Sequence, residues 1–154
     1  MIHGIHHTAI STPDLERSVA FYRDLFGAEV VSDFQWQVGA DFADSILGLK
    51  GSSARVAMLK LGNAMIEIFE YLTPEPRKGD PNRPVCDHGI THLCLDVTDV
   101  NAEYERLVAA GMTFHCPPQD LGASWATYGR DPDGNVIELQ EIVDPSSPTY
   151  LALP

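Results

Sequence analysis

Apolar and polar residues alternate in two short segments, His7–Ser11 and His92–Val97, and this alternation predicts a half-buried strand in each. Each segment precedes a stretch with apolar residues at helical spacing, which ends at Gly27 in the first case and at Gly111 in the second. Extended segments follow both helices. The order strand–helix–strand–strand–strand therefore occurs twice, and the two predicted strand histidines lie 85 residues apart.

The boundaries of the two copies follow from turn residues. Residues 73–84 contain four prolines and predict a surface linker. The sequence thus predicts a first βαβββ module over 1–72, a linker over 73–88, a second module over 89–143 and an extended tail over 144–154. Together they form one α+β domain, since 154 residues suffice for one sizeable core.

Local signals refine the first module. Pro13 suits a first helical turn, with Thr12 as the predicted cap. Gly62-Asn63 predicts a hairpin between two strands, Arg55 to Leu61 and Ala64 to Tyr71. Residues 32–54 mix glycines with apolar residues and predict a loop or lid with some strand.

Composition excludes several classes of function. The net charge of −12 argues against a nucleic-acid partner and against anionic membrane surfaces, because both favour a basic face. The chain has neither an apolar run of transmembrane length nor the pattern of a signal peptide. Its three cysteines are scattered and odd in number, which predicts reduced thiols and a cytoplasmic location.

The candidate chemistry lies in four residues that the two copies carry in register. Glu67 in Met65-Ile-Glu-Ile matches Glu138 in Val136-Ile-Glu-Leu, and each follows a strand that carries a histidine, His7 or His92. Side chains alternate across a strand, so these four residues lie on the face opposite their apolar neighbours. Two imidazoles and two carboxylates suit one divalent ion: Zn, Ni, Co, Mn, Mg or Fe.

A lone strand histidine or glutamate is usually an ordinary solvated residue, and only the shared register favours a metal site here. The remaining histidines lack such partners in the sequence and are interpreted as ordinary: His3, His6, His88 and His115. Asp96 and Glu141 are interpreted as surface residues or as neighbours of the site.

The sequence resembles the vicinal oxygen chelate superfamily, which includes glyoxalase I, methylmalonyl-CoA epimerase, extradiol dioxygenases and antibiotic-resistance proteins. The resembling stretches include Phe21-Tyr-Arg-Asp-Leu-Phe-Gly27, Ile66-Glu-Ile68, Gly89-Ile-Thr-His92 and Asp131-Pro-Asp-Gly-Asn-Val-Ile-Glu138. The resemblance implies paired βαβββ modules whose curved sheets form a cup or barrel around a metal held by His7, Glu67, His92 and Glu138. A fourth protein ligand at Glu67 resembles the glyoxalase I and epimerase branch more than the dioxygenases.

These features predict a metal-dependent lyase or isomerase that moves a proton next to a carbonyl of an organic acid or thioester. Glu138 is the leading base, Glu67 is the candidate on the opposite side, and Asp41 or Asp44 could supply a further acid. The alternatives are a non-haem iron extradiol-type dioxygenase and a non-catalytic drug-binding resistance protein. The expected partner is a small-molecule substrate and the expected assembly is a homodimer. Cations and aromatics are available for the substrate: Arg55, Arg77, Lys78, Arg83, Arg130, Trp36, Phe42, Trp125 and Tyr128.

Overall fold

The computed structural model describes residues 1–152 and divides the chain into two compact units, Met1–Gly79 and Asp80–Pro154. Each unit has one sheet, with a helix following its first strand. In the part of the chain that is described, no helix is long and apolar enough to cross a membrane.

The first unit contains a four-stranded sheet in the order β1-β4-β3-β2, in which β1 is parallel to β4 and the other pairs are antiparallel. Its elements are β1 (His7–Ser11), α1 (Leu15–Phe26), β2 (Glu29–Trp36), α2 (Asp41–Leu47), β3 (Ser53–Leu61) and β4 (Ala64–Thr73). Helix α1 packs against β3 and β4, and Tyr22, Leu59 and Ile68 are buried in this unit.

The second unit repeats this topology with the strand order β5-β9-β8-β6, and β7 pairs with β8. Its elements are β5 (Leu93–Asp96), α3 (Val100–Ala109), β6 (Thr113–Phe114), β7 (Gln119–Asp120), β8 (Ser124–Arg130) and β9 (Val136–Ile142). Strand β5 is parallel to β9, as β1 is to β4. The predicted α+β class with two βαβββ modules is therefore confirmed.

Helix α1 begins two residues later than the sequence predicts. Asp14 is the cap, and its carboxylate accepts a hydrogen bond from the Arg17 N–H at 3.0 Å. Thr12 is instead buried, and its hydroxyl lies 2.7 Å from that of Ser18. Asp99, 85 residues after Asp14, caps α3 in the same way through the Ala102 N–H. The repeat therefore extends to the caps, whereas the prediction for Thr12 is wrong.

Residues 32–54 form regular structure instead of a loose lid. Strand β2 continues to Trp36, and α2 packs over a small core that contains Trp36, Ala43, Ala54 and Val56. The carboxylate of Asp44 accepts hydrogen bonds from the Gly51 N–H at 2.6 Å, the Ser52 N–H at 2.9 Å and the Ser52 hydroxyl. Charged Asp44 therefore fixes the end of α2 to the start of β3.

The tail is also more folded than an extended segment. Backbone hydrogen bonds close two successive turns, from Ser147 N–H to Asp144 and from Tyr150 N–H to Ser147. The rest of the predicted tail, residues 153–154, lies outside the described residues.

Candidate functional site

The first unit brings one predicted histidine and one predicted glutamate together. Glu67 on β4 and His7 on β1 approach to 3.2 Å between Oε2 and Nε2. The Glu67 side chain is only 15% exposed, although it carries a carboxylate. A carboxylate that has lost much of its water is costly unless a positive or hydrogen-bonding partner faces it, and the imidazole is that partner here.

The second unit contains the equivalent pair. His92, just before β5, places Nε2 at 2.9 Å from Oε2 of Glu138 on β9, whose side chain is 11% exposed. Strand alternation places both glutamates on the face opposite the buried Ile66, Ile68, Ile137 and Leu139. Each unit therefore presents one imidazole and one carboxylate on the face of its sheet that lies away from the buried apolar side chains.

The second ring nitrogen of each histidine also has a partner. Nδ1 of His92 lies 2.8 Å from the Thr91 hydroxyl, and Nδ1 of His7 lies 2.9 Å from Nδ1 of His6. Sequence reasoning missed both contacts, and it treated His6 as a residue without partners. Their only sequence signal is position, because each partner immediately precedes a histidine of the repeat.

The strands next to the two glutamates differ in chemistry. Glu138 is flanked in register by Cys94 on β5 and Tyr128 on β8, whereas Glu67 is flanked by Ala9 and Met58. The Tyr128 ring also lies 4.9 Å from the ring of His92. The pair in the second unit therefore has two weakly acidic groups beside it.

Glu138 influences both of these neighbours. Part of the Cys94 surface reaches solvent, but burial and then the charge of Glu138 raise the pKa of its thiol to about 12. Burial, followed by the charges of Glu138 and Cys94, also raises the pKa of Tyr128. Both groups are therefore protonated at neutral pH, and each can donate a hydrogen bond.

The donor set suits a divalent ion. Neutral imidazole nitrogen and carboxylate oxygen are ligands for Zn, Ni, Co, Mn and Fe, and the two atoms already face each other in each pair. Within neither unit do the described residues gather three or more His, Cys, Asp and Glu side chains at a metal-binding distance. Each unit therefore supplies two of the four predicted ligands.

Other candidates from the sequence have structural partners. Asp44 is used at the end of α2, as described above. Glu141 accepts hydrogen bonds from the N–H groups of Asp99 at 3.1 Å and Val100 at 3.0 Å, so it binds the N-terminus of α3. Trp36 is a core residue whose Nε1–H donates to the buried Ser52 hydroxyl, whereas Phe42 is 69% exposed.

The sequence predicts that the three cysteines are reduced thiols. Cys86, Cys94 and Cys116 are all free thiols within residues 1–152.

Comparison with known proteins identifies relatives over most of the chain. The family model of the glyoxalase/bleomycin resistance protein/dioxygenase superfamily matches residues 4–139. A 2-epi-5-epi-valiolone epimerase from Actinomyces sp is 36% identical over 145 residues, covering 88% of this chain and 78% of the relative. An ethylmalonyl-CoA/methylmalonyl-CoA epimerase from Cereibacter sphaeroides is 33% identical over 151 residues, covering 92% of this chain and 100% of the relative.

The fold has a close structural counterpart as well. A glyoxalase family protein from Bacillus cereus superposes with a TM-score of 0.82 at 20% identity, covering 94% of this chain and 97% of the other. At this identity the likeness concerns the fold alone. With a family model that spans most of the sequence, the chain belongs to the glyoxalase/bleomycin resistance protein/dioxygenase superfamily, which is the predicted family.

Proposed function

We propose that this protein is a metal-dependent isomerase or lyase that transfers a proton at the carbon next to a substrate carbonyl. Epimerisation is the favoured reaction, because the two relatives described above, at 36% and 33% identity, are both named epimerases. The observation that carries the proposal is the repeated contact between a shielded carboxylate and an imidazole Nε2, once in each unit.

The two carboxylates have complementary roles in such a reaction. Glu138, as a carboxylate, accepts the proton from the carbon next to the carbonyl. Glu67, when it is protonated and not bound to the ion, returns a proton to the opposite face, so that the configuration inverts and each glutamate ends in the other protonation state. Glu138 likewise acts as the base only while it is released from the ion. Exchange with solvent then restores the starting state. Tyr128 and Cys94 remain protonated beside Glu138 and orient its oxygens.

His7, Glu67, His92 and Glu138 would hold one divalent ion. A bound divalent ion would supply positive charge next to the carbonyl oxygen and so stabilise negative charge that develops there. Three or four protein ligands are usual for such ions, and one His–Glu pair offers only two, so a single ion would need both pairs. The proposed assembly is a homodimer.

Local charge favours a small carbonyl compound over a substrate attached to a phosphate-rich carrier. Three of the five cations that the sequence offers for anion binding are engaged inside the units. Arg55 bonds to Glu16 at 2.6 and 2.9 Å and to Glu70 on the neighbouring strand, and Arg130 donates to two backbone carbonyls. Arg83 donates to the carbonyl of Ile90. The carboxylates of Glu16 and Glu70 offset the charge of Arg55, and the carbonyl contacts occupy N–H donors of Arg83 and Arg130 that would otherwise be available to phosphate groups.

The test is hydrogen exchange at the substrate carbon in D₂O under anaerobic conditions. Protein reconstituted with Zn, Ni or Co is offered 2-epi-5-epi-valiolone and, separately, methylmalonyl-CoA. We expect deuterium incorporation with inversion, and a higher kcat/KM for the small ketone. Glu138→Gln, which keeps the size of the side chain, should reduce exchange by at least about 100-fold.

The matched control is Glu103→Gln, an acidic residue of α3 that bonds only to Arg106 among the contacts described. This variant should exchange as the wild type does. Ring cleavage of catechols that strictly requires ferrous iron and oxygen would instead favour the alternative function, a non-haem iron extradiol-type dioxygenase. Full ligand binding by metal-free protein without any exchange would favour a drug-binding protein.

A further inference from the structure

A pair of stacked aromatic rings lies on the face of the first sheet that carries Glu67. Phe69 and Tyr71 follow Glu67 on β4 at intervals of two, so strand alternation places all three side chains on one face. The Phe69 and Tyr71 rings stack with centroids 5.4 Å apart and an interplanar angle of 8°. Trp36 meets both rings edge-on across the small side chain of Ala54. The rings are therefore held in place beside the site glutamate.

Strand β1, on the other side of β4, adds no bulky side chain beside these groups. Ser11 is the register partner of Phe69, and Ala9 is the register partner of Glu67. Ala9 and Ser11 are exposed, whereas Phe69 is half-buried. Residues two apart on a strand are separated by about 6–7 Å, a distance that a six-membered ring with its substituents spans. A molecule of that size can therefore contact the Glu67 carboxylate and the Phe69 ring together.

Two hydroxyl groups border the same surface. The exposed Ser11 hydroxyl lies on β1, and the Tyr71 hydroxyl lies at the far end of the stacked pair. Burial, and then the charge of Glu67, raises the pKa of Tyr71, so its hydroxyl is protonated at neutral pH. Both hydroxyls can donate and accept hydrogen bonds. The surface thus combines an aromatic ring, two hydroxyls and a carboxylate.

The aromatic pair is a departure from the repeat. In the second unit, Gln140 follows Glu138 by two positions, as Phe69 follows its glutamate in the first. The register partner of Gln140 on β5 is the exposed Asp96. Both sheets have the same topology, so the fold itself does not require an aromatic ring at this position. The difference points to a role for Phe69 in ligand selection.

The chemistry of the surface indicates the class of ligand. The face of an aromatic ring carries partial negative charge and attracts C–H bonds, most strongly those polarised by a neighbouring oxygen. A cyclic polyol presents several such bonds on one side of its ring and hydroxyl groups around the edge. A linear acyl thioester offers the site far fewer of them.

We infer that Phe69 is a specificity-determining residue whose ring binds the C–H face of a cyclic polyhydroxy ketone. Tyr71 supports the ring of Phe69, and the hydroxyls of Tyr71 and Ser11 bind hydroxyl groups of the substrate. This inference rests on the proposed function for the reaction at the carbon next to the carbonyl, and it adds the class of molecule that carries that carbonyl.

The first measurement compares the two compounds of the exchange test, the cyclic ketone 2-epi-5-epi-valiolone and the thioester methylmalonyl-CoA. Phe69→Leu keeps an apolar side chain and removes the ring, and it should raise KM for the ketone by about three- to tenfold, with a smaller change in kcat. Its effect on kcat/KM for the thioester should be smaller. Phe69→Tyr retains the ring and should restore KM for the ketone to within about twofold of the wild type.

The matched control is Phe26→Leu, which removes a half-buried ring of α1 that meets Phe21 edge-on. Its KM for the ketone should equal that of the wild type. Equal losses of kcat/KM for ketone and thioester in Phe69→Leu would overturn the inference, because they would mean general damage to the site. An unchanged KM for the ketone would overturn it as well.

The second measurement does not need turnover. Nuclear Overhauser effects between 2-epi-5-epi-valiolone and phenylalanine ring protons are recorded in Glu138→Gln, which suppresses exchange, with the rest of the protein deuterated. We expect effects on the C–H protons of one side of the ligand ring, and their loss when Phe69→Leu is added but not when Phe26→Leu is added. Absence of these effects, or their survival in the Phe69→Leu background, would overturn the inference. If they are present but the wild type exchanges no proton, the proposed reaction fails and the ligand class stands.

Binding by the ring and catalysis by the glutamates are thus tested separately.

Discussion

Glu138 and Glu67 occupy equivalent strand positions, yet the groups next to them differ. Tyr128 and Cys94 lie in register beside Glu138, and the negative charge of Glu138 helps to keep both protonated. Met58 and Ala9, the corresponding neighbours of Glu67, have no proton to donate. Glu138 therefore has a protonated group in register on both neighbouring strands, whereas Tyr71, whose pKa is raised by burial and then by the charge of Glu67, lies on the same strand as Glu67. This difference supports the assignment of Glu138 as the base that starts the reaction.

Removal of the Tyr128 hydroxyl tests this assignment. Tyr128→Phe keeps the aromatic ring beside His92 and removes one donor from the Glu138 side of the site. We expect the Tyr128 hydroxyl to donate to Glu138 during the reaction. Since a hydrogen bond to a charged group contributes about 1.5–3 kcal/mol, its loss should lower kcat by at least about tenfold with little change in KM. Steady-state kinetics of epimerisation provide the measurement.

Tyr104→Phe is the control for Tyr128→Phe. Tyr104 lies on α3, with its ring against Phe114, and it is not in register with Glu138. Equal losses of kcat in the two variants would mean that the loss at Tyr128 reflects general destabilisation of the unit.

Periodicity and the repeat single out His7, Glu67, His92 and Glu138, although β5 begins at Leu93 and His92 lies just before it. The structure brings these four residues into contact as two pairs, His7–Glu67 and His92–Glu138, one in each unit. The contacts of Thr91 with His92 and of His6 with His7 could not be predicted from the sequence, since a contact between adjacent side chains at a strand end leaves no periodic pattern. Whether the four residues hold one ion stays a prediction.

At the scale of elements, sequence reasoning failed where a short helix depends on tertiary contacts. Helix α2 has only seven residues and no side-chain cap at its start. Isolated helices of this length are unstable, so propensity gives little signal. The helix forms because Ala43 packs beside Trp36 and because Asp44 bonds to Gly51 and Ser52, and these partners lie on other segments.

The Asp44 contacts predict a pH-dependent effect on stability. The hydroxyl of Ser52 and then its N–H lower the pKa of Asp44 in the folded state. A lowered folded pKa stabilises the protein above the pKa of the unfolded chain, near 3.9, and this stabilisation is lost as pH falls through the folded value. Asp44→Asn should therefore lower Tm by roughly 5 °C at pH 7, and the difference should shrink towards pH 3.

The control is Asp41→Asn, an exposed acidic residue at the start of the same helix. It should change Tm little at either pH. Thermal melts followed by circular dichroism give both values, and a difference for Asp44→Asn that stays constant with pH would contradict the charge argument.

A tight turn in the second unit gives another prediction at this scale. Gly134 has φ of +90°, and a Cβ at this position would lie 2.3 Å from backbone atoms of Pro81. Gly134→Ala therefore combines backbone strain with a clash against the chain that enters the unit. Gly122 has φ of +86° and nothing within 4 Å of a Cβ. Gly122→Ala therefore measures the cost of backbone strain without a clash.

We expect Gly122→Ala to lower the free energy of unfolding by about 1 kcal/mol and Gly134→Ala to lower it by roughly 2 kcal/mol more. Urea titration of the two variants measures the difference. Similar values for both would show that residues 80–84 move away from the turn at little cost.

For the whole molecule, the duplicated architecture predicts the metal stoichiometry. The chain contains two His–Glu pairs, and each pair would supply two ligands, whereas a divalent ion usually has three or four from protein. One ion that uses both pairs gives one equivalent per chain, whereas independent sites would give two. The net charge of −12 attracts cations of any kind, so weakly bound ions must be removed before counting.

We therefore expect protein that has been reconstituted with Zn²⁺ and then dialysed to contain one equivalent per chain, as measured by inductively coupled plasma mass spectrometry. Loss of a ligand from either pair should then remove nearly all of the metal, because the remaining three side chains would have to hold it alone. The Zn²⁺ content of His7→Ala and that of His92→Ala should each be close to zero. His88→Ala, at an exposed histidine outside both pairs, should keep the full equivalent. Two equivalents in the wild type, with loss of one in each of the two ligand variants, would mean that the units bind metal independently.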